Sequence, residues 1–177
     1  MMEGWYCLRQ TEWGWLGVQS TPRGISRILL PRSNKKEALA ELKVPGAGGN
    51  GVVFHENERI MRPFADEVFD YLRGRRTKFS FEPDLDGNPS FSLKVWKLAR
   101  AIPYGDTRSY SWLAKTVGTK ATSRAVGQTL GKNPVPLLVP CHRVICTDGS
   151  LGGFSGGVEW KQFLLSLERR CCNVLGC

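Results

Sequence analysis

Apolar positions along the 177 residues follow one period in the first part of the chain and another in the second. Early on, the runs Trp5-Tyr6-Cys7-Leu8, Gly14-Trp15-Leu16-Gly17-Val18 and Gly24-Ile25-Ser26-Arg27-Ile28-Leu29-Leu30 have strand length, with short turns between them. They predict an antiparallel meander that Pro31 ends. Residues 45–51, Pro-Gly-Ala-Gly-Gly-Asn-Gly, predict a flexible loop, and they lack the Lys-Ser/Thr of a phosphate-binding loop. From Pro63 the spacing of Phe64, Val68, Phe69 and Leu72 turns helical, with Gly74 as its stop. The turn-rich residues 82–89 mark a domain boundary.

Beyond that boundary helical spacing dominates. Phe91, Val95, Leu98 and Ala99 outline an amphipathic helix that ends near Ile102-Pro103-Tyr104-Gly105. Ser109 reads as the N-cap of a helix carrying Tyr110, Leu113, Ala114 and Val117. Gly118-Thr119 then turns the chain into a second helix, from Lys120 to about Gly131. Two short helices about a glycine turn form a helix-turn-helix or a plain helical hairpin. At roughly 100° per residue, Ala121, Ala125, Gln128 and Lys132 share one face of the second helix, with Arg124 at its edge. Val126 and Leu130 lie opposite. Small side chains let a helix approach a groove closely, and arginine suits phosphate contact, stacking or insertion. A last helix aligns Trp160, Phe163, Leu164 and Leu167, and Glu168 flanks that stripe. A part-buried carboxylate needs a partner, and His142 is the candidate.

Charge sharpens the division. Residues 1–87 hold 13 Lys+Arg against 12 Asp+Glu, whereas residues 88–177 hold 12 against 4. A near-neutral half joined to a basic one points to a polyanion-binding module in the second. No apolar run reaches transmembrane length, and no signal-peptide pattern opens the chain, so the expected protein is soluble with no membrane partner. Without a secretory signal the six cysteines do not suggest a disulfide framework, and two histidines with no Cys-x-x-Cys pair offer no zinc site. Cys171, Cys172 and Cys177 fall in what reads as a short tail of incidental thiols, 171–177.

One stretch fits neither period. Asn133-Pro134-Val135-Pro136-Leu137-Leu138-Val139-Pro140-Cys141-His142-Arg143-Val144-Ile145 is too apolar for a surface loop. Its prolines exclude a helix and predict a rigid, extended, buried segment. It delivers a cysteine followed directly by a histidine. A thiolate is a strong nucleophile, and a nearby imidazole assists its formation. An inert, packed Cys beside a core His is the other reading of that pair alone. The glycine-rich Gly152-Gly153-Phe154-Ser155-Gly156-Gly157 loop beyond it admits a flat ligand close to the backbone.

Taken in order, Ser109-Tyr110, Ser123-Arg124-Ala125-Val126-Gly127, Asn133-Pro134-Val135-Pro136, Pro140-Cys141-His142-Arg143-Val144 and Phe154-Ser155-Gly156-Gly157 resemble the O6-alkylguanine-DNA alkyltransferases (methylated-DNA–protein-cysteine methyltransferases). The resemblance is strongest over about residues 88–170. It implies an α+β protein with a small N-terminal ribonuclease-H-like α/β domain, 1–87, and a mostly helical helix-turn-helix (winged-helix-like) domain, 88–170, for DNA binding and alkyl acceptance. It implies direct-reversal repair without a cofactor or metal: one irreversible transfer of the alkyl group from O6-alkylguanine, and from O4-alkylthymine, to Cys141. His142 and Glu168 form a relay through a bound water, and Asn133 braces the turn. Arg124 is the finger inserted where the base flips out, and Tyr110, Ala125 and Lys132 meet the DNA. Tyr110, Leu130, Pro136, Val144, Phe154 and Ser155 wall the base pocket. The implied partner is double-stranded DNA bound through the minor groove by a monomer. The implied location is the cytoplasm, on the nucleoid when bound to DNA, or the nucleus in a eukaryote.

The chain departs from the family pattern at Phe154, where tyrosine is common, and at Gln128, where glycine is common. The zinc-ligand set of some relatives is not matched. The competing readings are a non-repairing alkyltransferase-like lesion binder, which carries another residue at the acceptor position, and an alkylation-responsive DNA-binding regulator.

Overall fold

The computed structural model describes residues 2–42, 51–118 and 121–175, the last two without their side chains. Most of the predicted 45–51 loop lies outside the described residues, as do Thr119, Lys120 and Cys177. The fold mixes helices and strands in two compact units. One comprises Met1–Asn88 with Pro134–Leu138, the other Pro89–Asn133 with Val139–Cys177. The first unit therefore takes in five residues from inside the span that reads as the second domain.

In the first unit, β1 (Met2–Thr11), β2 (Gly14–Thr21) and β3 (Gly24–Arg32) form the antiparallel meander that the strand-length runs predict. Helix α1 (Lys35–Leu42) and strand β4 (Val52–Glu56) follow, and neither is evident from the apolar pattern. Strand β4 pairs parallel with β1, so the sheet order is β3-β2-β1-β4. A parallel return needs a crossover, and α1 lies within it. Close packing of that helix depends on Gly17: a Cβ there would sit 3.2 Å from Leu29 and 3.3 Å from Leu42. Helix α2 (Glu58–Leu72) starts earlier than Pro63, which lies inside it. The start signal is Asn57, whose side chain accepts a hydrogen bond from Ile60 N. Phe64, Val68 and Leu72 of α2 are buried, as are Leu16 and Val18 of β2. The segment 134–138 is held to β3 by a bond from Ile28 N to Pro134 O, 2.9 Å. Within it Leu137 adopts φ 77°, the one positive value at a non-glycine among the described residues.

In the second unit, α3 (Ser90–Arg100) buries Trp96, whose indole N–H donates to Thr129 O at 3.1 Å. Strand β5 (Arg108–Ser109) leads into α4 (Tyr110–Val117), with Ser109 as its cap, accepting from Trp112 N. Helix α5 (Ser123–Gly131) begins three residues later than the apolar spacing suggests. Thr122 is its cap, accepting from Ala125 N. Val126 and Leu130 are buried, while Arg124, Gln128 and Lys132 are exposed and Ala125 is half-buried, so α5 is two-faced as read.

The proline-rich segment through Cys141 is not extended throughout. Cys141–Arg143 makes one turn of 3-10 helix before β6 (Val144–Ile145) pairs parallel with β5. The turn bends the chain where extended geometry would send Cys141 and His142 to opposite sides. Helix α6 runs Val158–Leu175 and so continues through the expected tail; Cys171 and Cys172 are half-buried on it. No helix among the described residues is long and apolar enough to cross a membrane.

Candidate active site

A cavity of about 640 Å³ opens in the second unit. Helix α5 contributes Ser123, Arg124, Gly127, Gln128, Leu130 and Gly131; α4 contributes Tyr110. The remaining walls are Cys141, Cys146, Thr147 and the loop Gly152, Gly153, Phe154 and Ser155. Tyr110, Leu130, Phe154 and Ser155 thus line it as expected pocket residues, and Cys141 and Arg124 reach it too. Pro136 and Val144 are not among its walls. Pro136 belongs to the first unit, and Val144 is fully buried in β6, presenting its carbonyl to Lys161. Ala125 on α5 and Lys132, the residue that caps its C-terminus, do not line the cavity.

Cys141 is 4% exposed. Asn133, also buried, donates through one side-chain nitrogen to Val139 O at 2.8 Å and to Cys141 Sγ at 3.1 Å. Burial pushes the Cys141 thiol above its ordinary pKa, while the Asn133 hydrogen bond and the nearby Lys161 charge pull it down. At rest the group is a neutral thiol that needs a base.

His142 and Glu168 are both closed to solvent, and His142 Nε2 lies 2.5 Å from Glu168 Oε1. Burial lowers the imidazole pKa even though Glu168 raises it, so the ring is neutral. Facing a carboxylate, Nε2 carries the proton, which leaves the Nδ1 lone pair as the basic site. His142 Nδ1 is buried without a hydrogen-bond partner among the described residues. Burial would raise Glu168, but His142 and Arg143 outweigh it and hold the pKa at about 2. Arg143 grips the carboxylate bidentately, Nε to Oε2 at 2.9 Å and Nη2 to Oε1 at 3.1 Å. Its Nη1 donates to Ile102 O at 2.7 Å, and Gly105 N donates to Glu168 Oε2 at 2.9 Å. Every lone pair that orients the imidazole is therefore itself held. Phe154 meets the His142 ring edge-on, with centroids 6.5 Å apart.

A second buried charge stands behind the Tyr110 wall of the cavity. Lys161 is 0% exposed, and Nζ donates to Val144 O at 2.6 Å, Gly153 O at 3.2 Å and Tyr110 Oη at 3.2 Å. Burial lowers its pKa to about 8, partly offset by Cys141 and Cys146. Tyr110 moves the other way, to about 12, through burial and the same two cysteines. A cavity lined by both a buried thiol and a lysine-supported phenol brings together a candidate nucleophile and a candidate proton donor.

The sequence model of the 6-O-methylguanine DNA methyltransferase DNA-binding domain matches residues 90–170. The inducible methylated-DNA–protein-cysteine methyltransferase of Bacillus subtilis is 39% identical over 172 residues, 97% of this chain and 93% of that protein. The chain belongs to the methylated-DNA–protein-cysteine methyltransferase family. Another methyltransferase of that name, from Mycolicibacterium paratuberculosis, is 44% identical over 115 residues, 65% of this chain and 69% of the relative. Among solved structures, Mycobacterium tuberculosis OGT in complex with DNA is similar at TM-score 0.74 and 30% identity, covering 94% of each chain.

Three residues around Cys141 of this methyltransferase escaped the sequence reading. Lysine is a surface residue by default. Yet Lys161, Leu164 and Glu168 are spaced i, i+3, i+7 and share the buried face of α6, which was the available signal. Arg143 was overshadowed by the Cys-His pair before it. Cys146 gave no signal beyond its nearness in sequence to Cys141, yet it lines the same cavity.

Proposed function

We propose that this protein repairs O6-alkylguanine in double-stranded DNA by moving the alkyl group to Cys141, once per molecule. The observation that carries the reading is a buried thiol facing a cavity, braced by Asn133 and backed by a neutral, carboxylate-held imidazole. Cys141 passes its proton through a bound water to His142 Nδ1, and the imidazolium is stabilised by Glu168. The thiolate sulfur bonds the alkyl carbon as the carbon–O6 bond breaks. The departing guanine takes a proton from Tyr110, whose oxygen Lys161 supports. A thioether has no easy leaving chemistry, so the protein is consumed. O4-alkylthymine reacts by the same step.

The target base must leave the stack to reach Cys141, at a cost of a few kcal/mol. Exposed Arg124, on the cavity-lining face of α5, fills the place of the extruded base, while α5 lies in the minor groove of the duplex. Ala125 and Lys132 border that contact. One molecule acts alone, in the cytoplasm on the chromosome. Two features support the finer fold descriptions. The order β3-β2-β1-β4 with a parallel fourth strand favours a ribonuclease-H-like first domain. The α4–α5 pair beside the small β5-β6 sheet favours a winged-helix-like second one. On this reading residues 88–170 carry DNA binding and alkyl acceptance.

Incubation with a duplex containing one O6-methylguanine, followed by intact-mass and peptide measurement, tests the proposal. One methyl per protein on the Cys141 peptide is expected. Turnover beyond one equivalent, or label on Cys146 or Cys171, sinks it. A lesion binder without chemistry would show no added mass at all, and Cys141 at the acceptor position argues against that reading.

A further inference from the structure

The first turn of α4 carries an exposed aromatic that the chemistry above does not use. Trp112 is 40% exposed, one of the few large apolar side chains in that state among the described residues. The Arg108 guanidinium sits 5.8 Å from its ring centroid, and the Arg108 side chain is itself 41% exposed. The nearest acid to Arg108 is Asp106, at 3.8 Å, a distance at which an exposed pair contributes little. Lys115, on the next turn of the same helix, is exposed too.

This patch lies on the helix that brings Tyr110 to the cavity. Tyr110 lines the cavity, and Ser111 Oγ lies 3.0 Å from Oγ1 of Thr147, another wall residue. Trp112 is the next residue, about 100° around the helix from Ser111 and about 200° from Tyr110, so it stands on the outer side of α4 and not in the cavity. A nucleotide extruded into the cavity stays bonded to its neighbours, so its strand must cross the mouth. Ser123, Arg124 and Thr147 are exposed wall residues, available to a strand at that mouth. An exposed indole beside a guanidinium, in a half of the chain with 12 basic and 4 acidic residues, has the chemistry of a nucleic-acid stacking platform.

We infer that Arg108 and Trp112 form a second DNA contact, which grips the strand flanking the flipped nucleotide: the indole packs on a sugar or base and Arg108 pairs with a phosphate. The inference rests on the repair reading above. Both residues act by positioning the strand and touch no reacting atom.

The test is single-turnover transfer from an O6-methylguanine duplex at increasing DNA concentration, run beside reaction with free O6-benzylguanine. Trp112→Ala should raise the half-saturating DNA concentration roughly tenfold, the loss typical of a stacking aromatic. The rate at saturation and the free-base rate should stay unchanged, and Trp112→Phe should restore most of the affinity. Arg108→Ala should lower the salt slope of DNA binding by about one, as loss of one phosphate contact does, and Arg108→Lys should keep it. Unchanged half-saturation in Trp112→Ala with an unchanged salt slope in Arg108→Ala overturns the inference. Equal losses on duplex and free base also overturn it, because they mean damage to the fold or the thiol site. If the unaltered protein transfers no methyl group, it is the parent reading that fails.

Discussion

Glu168 Oε1 approaches His142 Nε2 to 2.5 Å in a pocket that solvent does not reach, and Arg143 closes the other side of the carboxylate. The pair sets how this protein responds to acid. Both groups have folded-state pKa values below their unfolded ones, so both stabilise fully above the unfolded value and lose that contribution as pH falls. His142 should begin the loss below about pH 6.5, and Glu168 should steepen it between about 4.5 and 2. From the Glu168 shift the second limb is worth on the order of 3 kcal/mol. Urea unfolding followed against pH should show both limbs, and Glu168→Gln should lack the lower one. A flat profile from pH 7 to pH 4 would mean that the buried imidazole already carries a charge.

Glu168→Gln should also slow alkyl transfer by tenfold or more while DNA affinity holds, because an amide orients the imidazole but does not stabilise its charged form. Single-turnover rates beside a binding titration separate the two effects. Equal rates in both proteins would leave Glu168 a purely structural partner of Arg143.

Asn133→Ala should act on the thiol and the fold together. It removes the donor to Val139 O and to Cys141 Sγ, and an orphaned buried carbonyl costs about 1–3 kcal/mol. The Asn133 hydrogen bond lowers the Cys141 pKa, so its loss should move iodoacetamide labelling of Cys141 to higher pH. Labelling with an unmoved pH midpoint would contradict the brace.

Lys161→Met tests the proton donor. Without the ammonium, Tyr110 loses the partner that shares charge as its proton leaves, and Cys141 loses a cation that lowers its pKa. Transfer should fall by about a hundredfold, the usual cost of deleting one such donor. In the unaltered protein the Lys161 contribution should fade as pH rises past about 8. A variant that keeps the wild-type rate removes Lys161 from the chemistry.

Arg124→Ala should weaken repair of duplex DNA by tenfold or more and leave reaction with free O6-benzylguanine intact. Arg124 is exposed at the cavity edge and makes no contact with the Cys141 network, so its loss touches extrusion of the base only. Parallel losses on the two substrates would refute the finger.

What the sequence made legible was local. The β1–β3 meander follows from strand-length runs and short turns, and α5 follows from Val126 and Leu130 standing opposite Arg124 and Gln128. What stayed hidden needed distant partners. Helix α1 is half charged and buries only Ala38 and Leu42, so its period is faint. Strand β4 has five residues and exists by pairing with β1, some fifty positions away. The Cys141, His142 and Glu168 constellation was readable as residues, but its geometry was not. The 3-10 turn replaced an extended segment, and Arg143 and Lys161 entered only once α6, which carries Lys161 and Glu168, had packed against that turn.

The five residues 134–138 count with the first unit, and Ile28 of β3 holds Pro134 there. The polypeptide thus passes out of the second unit and back just before the reactive thiol. No single scission parts the halves: a cut between Asn88 and Pro89 leaves residues 134–138 still in the first. A gene trimmed to begin at Pro89 would produce Val135, Leu137 and Leu138 stripped of the strands they fold with. Recombination that moves the thiol-bearing half between genes would part residues 134–138 from the strand that Pro134 bonds to.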